Sequence, residues 1–229
     1  MTVMSHNLDL TVAVIAKECL PGRVKTRLSP PLSPEGAAAL AQLSLSQTLE
    51  TVRMLPVNNR WLVMDGTPSA AEADGFTVLP QQSGGLDERL AAICDAATGP
   101  LLIIGMDTPH FSASHLAPLF EDWHAETSGH DGWLGPATDG GFWALALRRP
   151  SGHLIRGVPM STESTGEMQL GRLLAEGLSI GILAELSDMD FFSDAVGIAS
   201  LMPGTKFAQA VHAATENPQD SLAPTGAGL

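Results

Sequence analysis

The chain has 229 residues, a formal net charge of -13 and 44% hydrophobic residues, which is enough apolar content for one domain with a sizeable core. Its acidity argues against a nucleic-acid partner. No apolar run reaches the roughly 18 residues of a membrane span, and the N-terminus lacks the basic start of a signal peptide, so we expect a cytoplasmic protein whose oligomeric state stays open. Cys19 and Cys94 have no metal-binding spacing.

The first predicted element is a buried central strand over residues 10–16, which are apolar and mostly β-branched. The loop that follows contains four of the twelve Lys and Arg residues: Lys17, Arg23, Lys25 and Arg27. Ligands bind at the carboxyl ends of strands in open α/β sheets, and Gly22 would let the backbone approach a phosphate closely. The alternative interpretation is a loop of solvated surface charges. Neither a P-loop nor a G-x-G-x-x-G dinucleotide loop is present.

The remaining elements predict a single α/β domain over residues 10–215. Periodicity and capping residues predict helices at 34–54, 87–97, 112–126, 164–176 and 193–201, the last as the final helix. Apolar runs predict strands at 60–65, 76–80, 101–104, 133–134, 142–147 and 178–183. The strands at 133–134 and 142–147 follow each other without a helix between them. This indicates a hairpin-like insertion in a mixed, mostly parallel sheet flanked by helices. Residues 1–9 are predicted to be flexible and residues 216–229 to form a disordered tail.

Acidic residues also fall at predicted strand ends and loops. Asp107 follows the apolar strand 101–104, while Asp188 and Asp190 precede the last predicted helix. Carboxylates beside a bound phosphate are expected chiefly where a divalent cation lies between them, and oxygen ligands favour Mg²⁺ or Mn²⁺. Each acid has a structural alternative, a turn for Asp107 and Asp139 and a helix cap for Asp188 and Asp190.

Five segments carry a resemblance to known proteins: Ala16-Lys17, the stretches 21–28 and 105–109, Gly135-Pro136-Ala137-Thr138-Asp139-Gly140-Gly141-Phe142, and Asp188-Met189-Asp190. Taken together, they resemble a poorly characterised bacterial family of nucleotide-diphospho-sugar transferases of the GT-A fold, often labelled arsenosugar-biosynthesis glycosyltransferases. More distantly, the first of them is similar to phospholactate guanylyltransferase and to the molybdenum-cofactor nucleotidyltransferases.

The resemblance implies a Rossmann-like GT-A sheet and a role for each matched position. Asp107 would be a metal-binding acid, Asp190 a second acid near the metal or the acceptor, and Asp139 an acceptor-side base. The nucleotide phosphates would be held by Lys17, Gly22, Arg23, Lys25 and Arg27. The acceptor side would include Gly140, Gly141, Ser161 and Thr162.

Three functions therefore follow as expectations. The first is metal-dependent glycosyl transfer from a nucleotide-diphosphate-sugar to a small-molecule acceptor. The second is nucleotidyl transfer, guanylyl or similar, to a small phosphorylated acceptor. The third is a non-catalytic nucleotide-binding domain, because the chain has Met160 and Phe142 where relatives carry tryptophan and tyrosine.

Overall fold

The computed structural model describes residues 7–125 and 127–216 and contains one seven-stranded sheet. The strands are β1 Leu8–Lys17, β2 Val57–Asp65, β3 Thr77–Pro80, β4 Leu101–Gly105, β5 Gly132–Pro136, β6 Phe142–Leu147 and β7 Ile180–Ile182. The α-helices are α1 Pro34–Met54, α2 Ala70–Ala73, α3 Leu86–Ala96, α4 Ala117–His124, α5 Thr165–Ala175, α6 Phe192–Leu201 and α7 Lys206–Glu216. Short 3-10 turns cover Thr26–Leu28, Ala113–Leu116 and Gly152–Leu154. None of the helices within the described ranges could cross a membrane.

The sheet is mixed and mostly parallel, as predicted. Its strand order is β3-β2-β1-β4-β6-β5-β7, and only β6 runs against its neighbours β4 and β5. The parallel strands β1, β4, β5 and β7 therefore end at one edge of the sheet, and β6 starts there. Every segment that leaves or enters this edge can contribute to a single site.

Helices cover both faces of the sheet, which explains why the central strands are apolar throughout. On β1, Val12 and Val14 pack in one core with α1 and α4, while Ala13 faces a second core with α3 and α5. The start of α1 is fixed by the hydroxyl of Ser33, which accepts a hydrogen bond from the Gly36 amide at 3.1 Å. This agrees with the cap expected from the sequence.

A third apolar cluster lies outside the sheet and joins distant parts of the chain. Leu28 at the end of the basic loop and Met189 between the two acids are both fully buried in it. Helices α6 and α7 complete the cluster, with Phe207 as its largest side chain. Burial of these apolar side chains fixes the basic loop against the segment that contains Asp188 and Asp190.

Several elements differ from those predicted. The helix at 193–201 is not the last one, because α7 follows it. The buried residues Phe207, Ala210, Val211 and Ala214 have helical spacing, so the periodicity of α7 was present in the sequence and was missed. The predicted helix 112–126 is a 3-10 turn followed by the shorter α4. Strand β1 takes up Leu8 and Asp9 of the segment predicted to be flexible, and α7 extends through Glu216. Residues 1–6 and 217–229 lie outside the described residues.

Candidate functional site

Two connected cavities open at the edge where the parallel strands end. The smaller, about 310 Å³, is lined by residues of the basic loop together with Met106, Asp107 and Asp190. The larger, about 810 Å³, shares Lys17, Arg27 and both of these acids, and it extends toward the loop after β5 and the segment before α5. Their volumes lie in the range of small-molecule sites.

Lys25 is the centre of the smaller cavity. Its ammonium lies 2.9 Å from Asp107 Oδ2 and 3.0 Å from Asp190 Oδ1, and its side chain is only 9% exposed. Burial disfavours the charge on Lys25, but the two carboxylates outweigh this effect and raise its pKa. The structure thus brings together three predicted residues from three distant segments of the chain.

Backbone and side-chain hydrogen bonds hold the two acidic segments in register. The amide of Met189 donates to the Asp107 carbonyl at 3.0 Å, and the Thr108 hydroxyl donates to Asp188 Oδ1 at 2.6 Å. Because Met189 is also buried in the third apolar cluster, Asp188 and Asp190 are fixed on either side of an anchored residue. The position of Asp190 relative to Lys25 is therefore set by packing as well as by charge.

The other predicted cations surround this centre. Arg27 lies 3.3 Å from Asp190 Oδ2 and places its guanidinium 5.7 Å from the centre of the exposed Phe191 ring. Lys17 and Arg23 line the same cavity, and Lys17 has only a distant contact, 3.9 Å to Asp65. Four cations face two carboxylates in the smaller cavity, so it is locally positive although the chain is strongly acidic.

Asp188 was predicted with Asp190 as an acid near a bound cation or as a helix cap, and the structure places it at the site. It lines the larger cavity, and burial raises its pKa to about 6; the hydrogen bond from Thr108 opposes this shift, while Asp107 and Asp139 add to it. The Asp-x-Asp spacing was the available signal, because residues two apart in an extended segment can lie on the same side.

The predicted acceptor-side residues are only partly gathered. Asp139, Gly141, Ser161 and Thr162 line the larger cavity. Asp139 also forms the predicted kind of turn, since its Oδ1 accepts a hydrogen bond from the Gly141 amide at 2.8 Å. Gly140 lines neither cavity, and its carbonyl instead accepts a 2.8 Å bond from the Gly166 amide.

Gly22, predicted to let the backbone approach a phosphate, also lies outside the lining of both cavities. It has φ of 71° in the turn that precedes Arg23, and a side chain there would meet no atom within 4 Å. Its observed place is therefore that of a turn residue within the basic loop.

Asp107 and Asp190 are the candidate metal ligands of the site. Within residues 7–125 and 127–216, no group of three or more His, Cys, Asp or Glu side chains is arranged to hold an ion. Asp107 and Asp190 nevertheless fit a Mg²⁺ or Mn²⁺ ion bound jointly with a substrate, because such ions commonly take one or two carboxylates and complete their shell with phosphate oxygens and water.

A further polar pair borders the larger cavity near the end of β3. The Gln81 amide donates to the carbonyls of Ala16 and Val63 at 2.6 and 3.2 Å, and its oxygen accepts from Arg89 at 3.1 Å. Gln81 therefore connects the ends of β1 and β2 through hydrogen bonds and contacts Arg89, which also lines the cavity. The sequence predicted no strand or helix between residues 80 and 87, so these contacts could not be foreseen.

Backbone strain coincides with the site. In the described part of the chain, Lys25 and Ser161 are the two non-glycine residues with positive φ, at 46° and 59°, and both line the cavities. This conformation costs about 1 to 3 kcal/mol per residue and is retained at functional sites when the surroundings enforce it.

We expect Ser161→Gly to raise the free energy of unfolding by about 0.5 to 1 kcal/mol, since glycine adopts positive φ without the steric cost. The matched control is Ser161→Ala, which removes the hydroxyl but keeps the strained conformation and should give no gain. Urea unfolding of both variants would check this. Equal stability of the two variants would contradict the presence of strain at this residue.

Comparisons with known proteins were made for the sequence and for the fold. The sequence profile of a family described as "Uncharacterized protein conserved in bacteria (DUF2064)" matches residues 48–162. A search among curated proteins gave no significant match.

Solved structures share the fold. A protein from Desulfovibrio desulfuricans G20, assigned provisionally as a nucleotide-diphospho-sugar transferase, superimposes with a TM-score of 0.76 at 18% identity, covering 90% of this chain and 94% of its own. CMP:2-keto-3-deoxy-manno-octonic acid synthetase in complex with CTP superimposes with a TM-score of 0.53 at 12% identity, covering 85% of this chain and 98% of its own. Rv0371C of Mycobacterium tuberculosis H37Rv in complex with manganese superimposes with a TM-score of 0.50 at 15% identity, covering 83% of this chain and 97% of its own. At these identities the likeness shows the fold, which is the GT-A-like α/β fold expected from the sequence.

Proposed function

The chain belongs to the DUF2064 family of bacterial proteins, and we propose that it is a metal-dependent glycosyltransferase that uses a nucleotide-diphosphate-sugar donor. The observation that carries this proposal is the meeting of Lys25, Asp107 and Asp190 in one cavity at the carboxyl edge of the sheet. Proteins of the same fold solved with CTP and with manganese support a nucleotide and a divalent cation as ligands.

The donor diphosphate fits the smaller cavity for electrostatic reasons. Lys17, Arg23 and Arg27 have exposed or half-exposed side chains there, so their donors can reach phosphate oxygens. Arginine can bind phosphate through two parallel hydrogen bonds, while lysine acts as a point charge. Asp107 and Asp190 would hold Mg²⁺ or Mn²⁺, which when bound spreads the negative charge that develops on the departing nucleoside diphosphate.

The acceptor side differs in charge from the donor side. Between Thr138 and Thr165, the lining of the larger cavity includes Asp139 and Glu163 but no lysine or arginine. A phosphorylated acceptor would find no counter-charge on this wall, whereas the hydroxyl of an uncharged acceptor could be bound there. This observation favours glycosyl transfer over nucleotidyl transfer to a phosphorylated acceptor.

The reaction assigns a role to residues of both sides. The acceptor hydroxyl attacks the anomeric carbon of the donor and loses its proton to Asp139, while the bond from that carbon to the diphosphate oxygen breaks. Lys25 and Arg27 stabilise the diphosphate as its charge increases. The exposed ring of Phe191 borders the same cavity and offers a flat apolar surface for a sugar ring.

The experiment is a thermal-shift panel of nucleotides and nucleotide-sugars with Mn²⁺, followed by product analysis. A ligand present at about 100 times its Kd should stabilise the folded state by about 2.7 kcal/mol, since it binds that state alone. Incubation of the best ligand with hydroxyl acceptors should release a nucleoside diphosphate. Release of pyrophosphate from a nucleoside triphosphate would instead support nucleotidyl transfer, and binding without any release would support a non-catalytic domain.

A further inference from the structure

We propose that Lys25 and the divalent cation exclude each other between Asp107 and Asp190, so that the cation enters only together with a polyphosphate that draws Lys25 away. This inference rests on the proposed function, because it concerns how the metal and the donor diphosphate share one site. It assigns Lys25 two successive partners, the carboxylates in the free protein and the phosphate in the complex.

The geometry leaves no place for both cations at once. The Lys25 ammonium makes contacts of 2.9 and 3.0 Å with one oxygen of each carboxylate. The other oxygen of Asp190 lies 3.3 Å from Arg27, so cations already cover both oxygens of this carboxylate. A Mg²⁺ ion that bridges Asp107 and Asp190 would need to approach their oxygens to about 2.1 Å. It would then lie within a few ångströms of the ammonium nitrogen, and a divalent and a monovalent cation at that separation repel each other strongly.

Removal of Lys25 from the carboxylates is costly when nothing replaces them. Its side chain is 9% exposed, so a displaced ammonium would stay largely buried without a counter-charge. Among the described residues, the ion-pair partners of Lys25 are Asp107 and Asp190, so a cation that takes both removes the acids that neutralise its charge. Binding of a cation alone therefore includes the full unfavourable free energy of displacing Lys25.

A polyphosphate removes this cost. Its oxygens offer the ammonium a new negative partner, and the four-carbon stem of lysine lets the nitrogen move while the backbone of the loop stays in place. The same oxygens complete the shell of the cation, to which the lining of the smaller cavity contributes the carboxylates of Asp107 and Asp190. Binding of the metal and of the diphosphate is thus mutually reinforcing, and the reinforcement must be equal in both directions.

The test is the affinity for Mn²⁺ alone, measured from the electron paramagnetic resonance signal of the free ion, in the wild type and in Lys25→Met. The variant keeps the apolar stem of the side chain, frees the Asp107 carboxylate and leaves Asp190 with Arg27 as its cationic partner. We expect its affinity for Mn²⁺ without nucleotide to be higher than that of the wild type by about tenfold or more. The matched control is Lys206→Met, which removes the same charge at an exposed residue outside the lining of both cavities, and it should leave the affinity within about twofold of wild type.

Uridine diphosphate or guanosine diphosphate provides the second arm of the test. In the wild type, whichever of the two stabilises the protein in Mn²⁺ should tighten Mn²⁺ binding by about tenfold or more, and in Lys25→Met this gain should be smaller. Equal or weaker Mn²⁺ affinity of Lys25→Met without nucleotide would overturn the inference and leave the proposed function standing. If the variant does not fold, the inference is tested on the wild type alone. Equal Mn²⁺ affinity of the wild type with and without the diphosphate would contradict it. If no nucleotide or nucleotide-sugar binds at all, the proposed function itself fails.

Discussion

Replacing Asp107 by asparagine is expected to lower the affinity for the donor nucleotide at least about a hundredfold when Mn²⁺ is present, because a metal bridge to phosphate contributes several kcal/mol. In the presence of a chelator, the affinity should be unchanged or higher, since Lys25 then loses one of its two carboxylate partners and is more available to phosphate. Calorimetric titration with and without the metal would measure both effects.

The control for this prediction is Asp9→Asn, which makes the same charge change at the opposite end of β1. It should leave nucleotide affinity unchanged in both conditions. A loss for Asp107→Asn that is as large in chelator as in Mn²⁺ would show that Asp107 does not act through a metal. Melting temperatures of both variants should be recorded, so that a loss of binding is not confused with a loss of fold.

Replacing Gly140 by alanine is expected to lower the free energy of unfolding by about 3 kcal/mol or more, through two separate causes. Its φ of 86° is unfavourable for any residue with a Cβ atom. An added Cβ would also overlap the backbone carbonyl of Glu163, which cannot yield as a flexible side-chain end could. The segment around Ser161 and Thr162 would then have to move away from the cavity, so acceptor binding should weaken as well. Urea unfolding would measure the loss of stability.

The natural comparison is Gly22→Ala. Gly22 also has positive φ, 71°, but nothing lies within 4 Å of the position that its Cβ would take. Its substitution should lower the free energy of unfolding by about 1 to 2 kcal/mol, through the unfavourable positive φ alone. The difference between the two variants isolates the steric contact at Gly140. Equal losses would mean that the close packing between Gly140 and Glu163 contributes nothing.

The sequence was sufficient to predict the edge of the sheet at which the site lies. An apolar strand that ends in Lys17 and another that ends before Asp107 must bring both ends to one edge if the strands are parallel, and β1 and β4 are parallel neighbours. The fold class followed from the alternation of strands and helices. The reversed strand β6 was also foreseen, because two strands were predicted in succession without a helix between them.

The details of the site depend on long-range packing that local patterns do not encode. No spacing rule shows that the Lys25 ammonium lies between Asp107 and Asp190, because that position depends on the burial of Leu28 and Met189 in one cluster. The helix that completes this cluster, α7, was also missed. Its only local start signal was Thr205, whose hydroxyl accepts a 3.1 Å hydrogen bond from the Ala208 amide.

The wide separation of the site residues along the chain has a consequence for biosynthesis. Lys25 and Asp190 lie 165 positions apart, so a ribosome that adds about 5 to 20 residues per second translates the second roughly ten to thirty seconds after the first. During that interval the nascent chain can already pair β1 with β2 and β4, yet it has no complete binding centre. A product released by premature termination just before Asp188 would keep the basic loop and Asp107 but would lack Asp190 and the part of the third apolar cluster that holds these segments together.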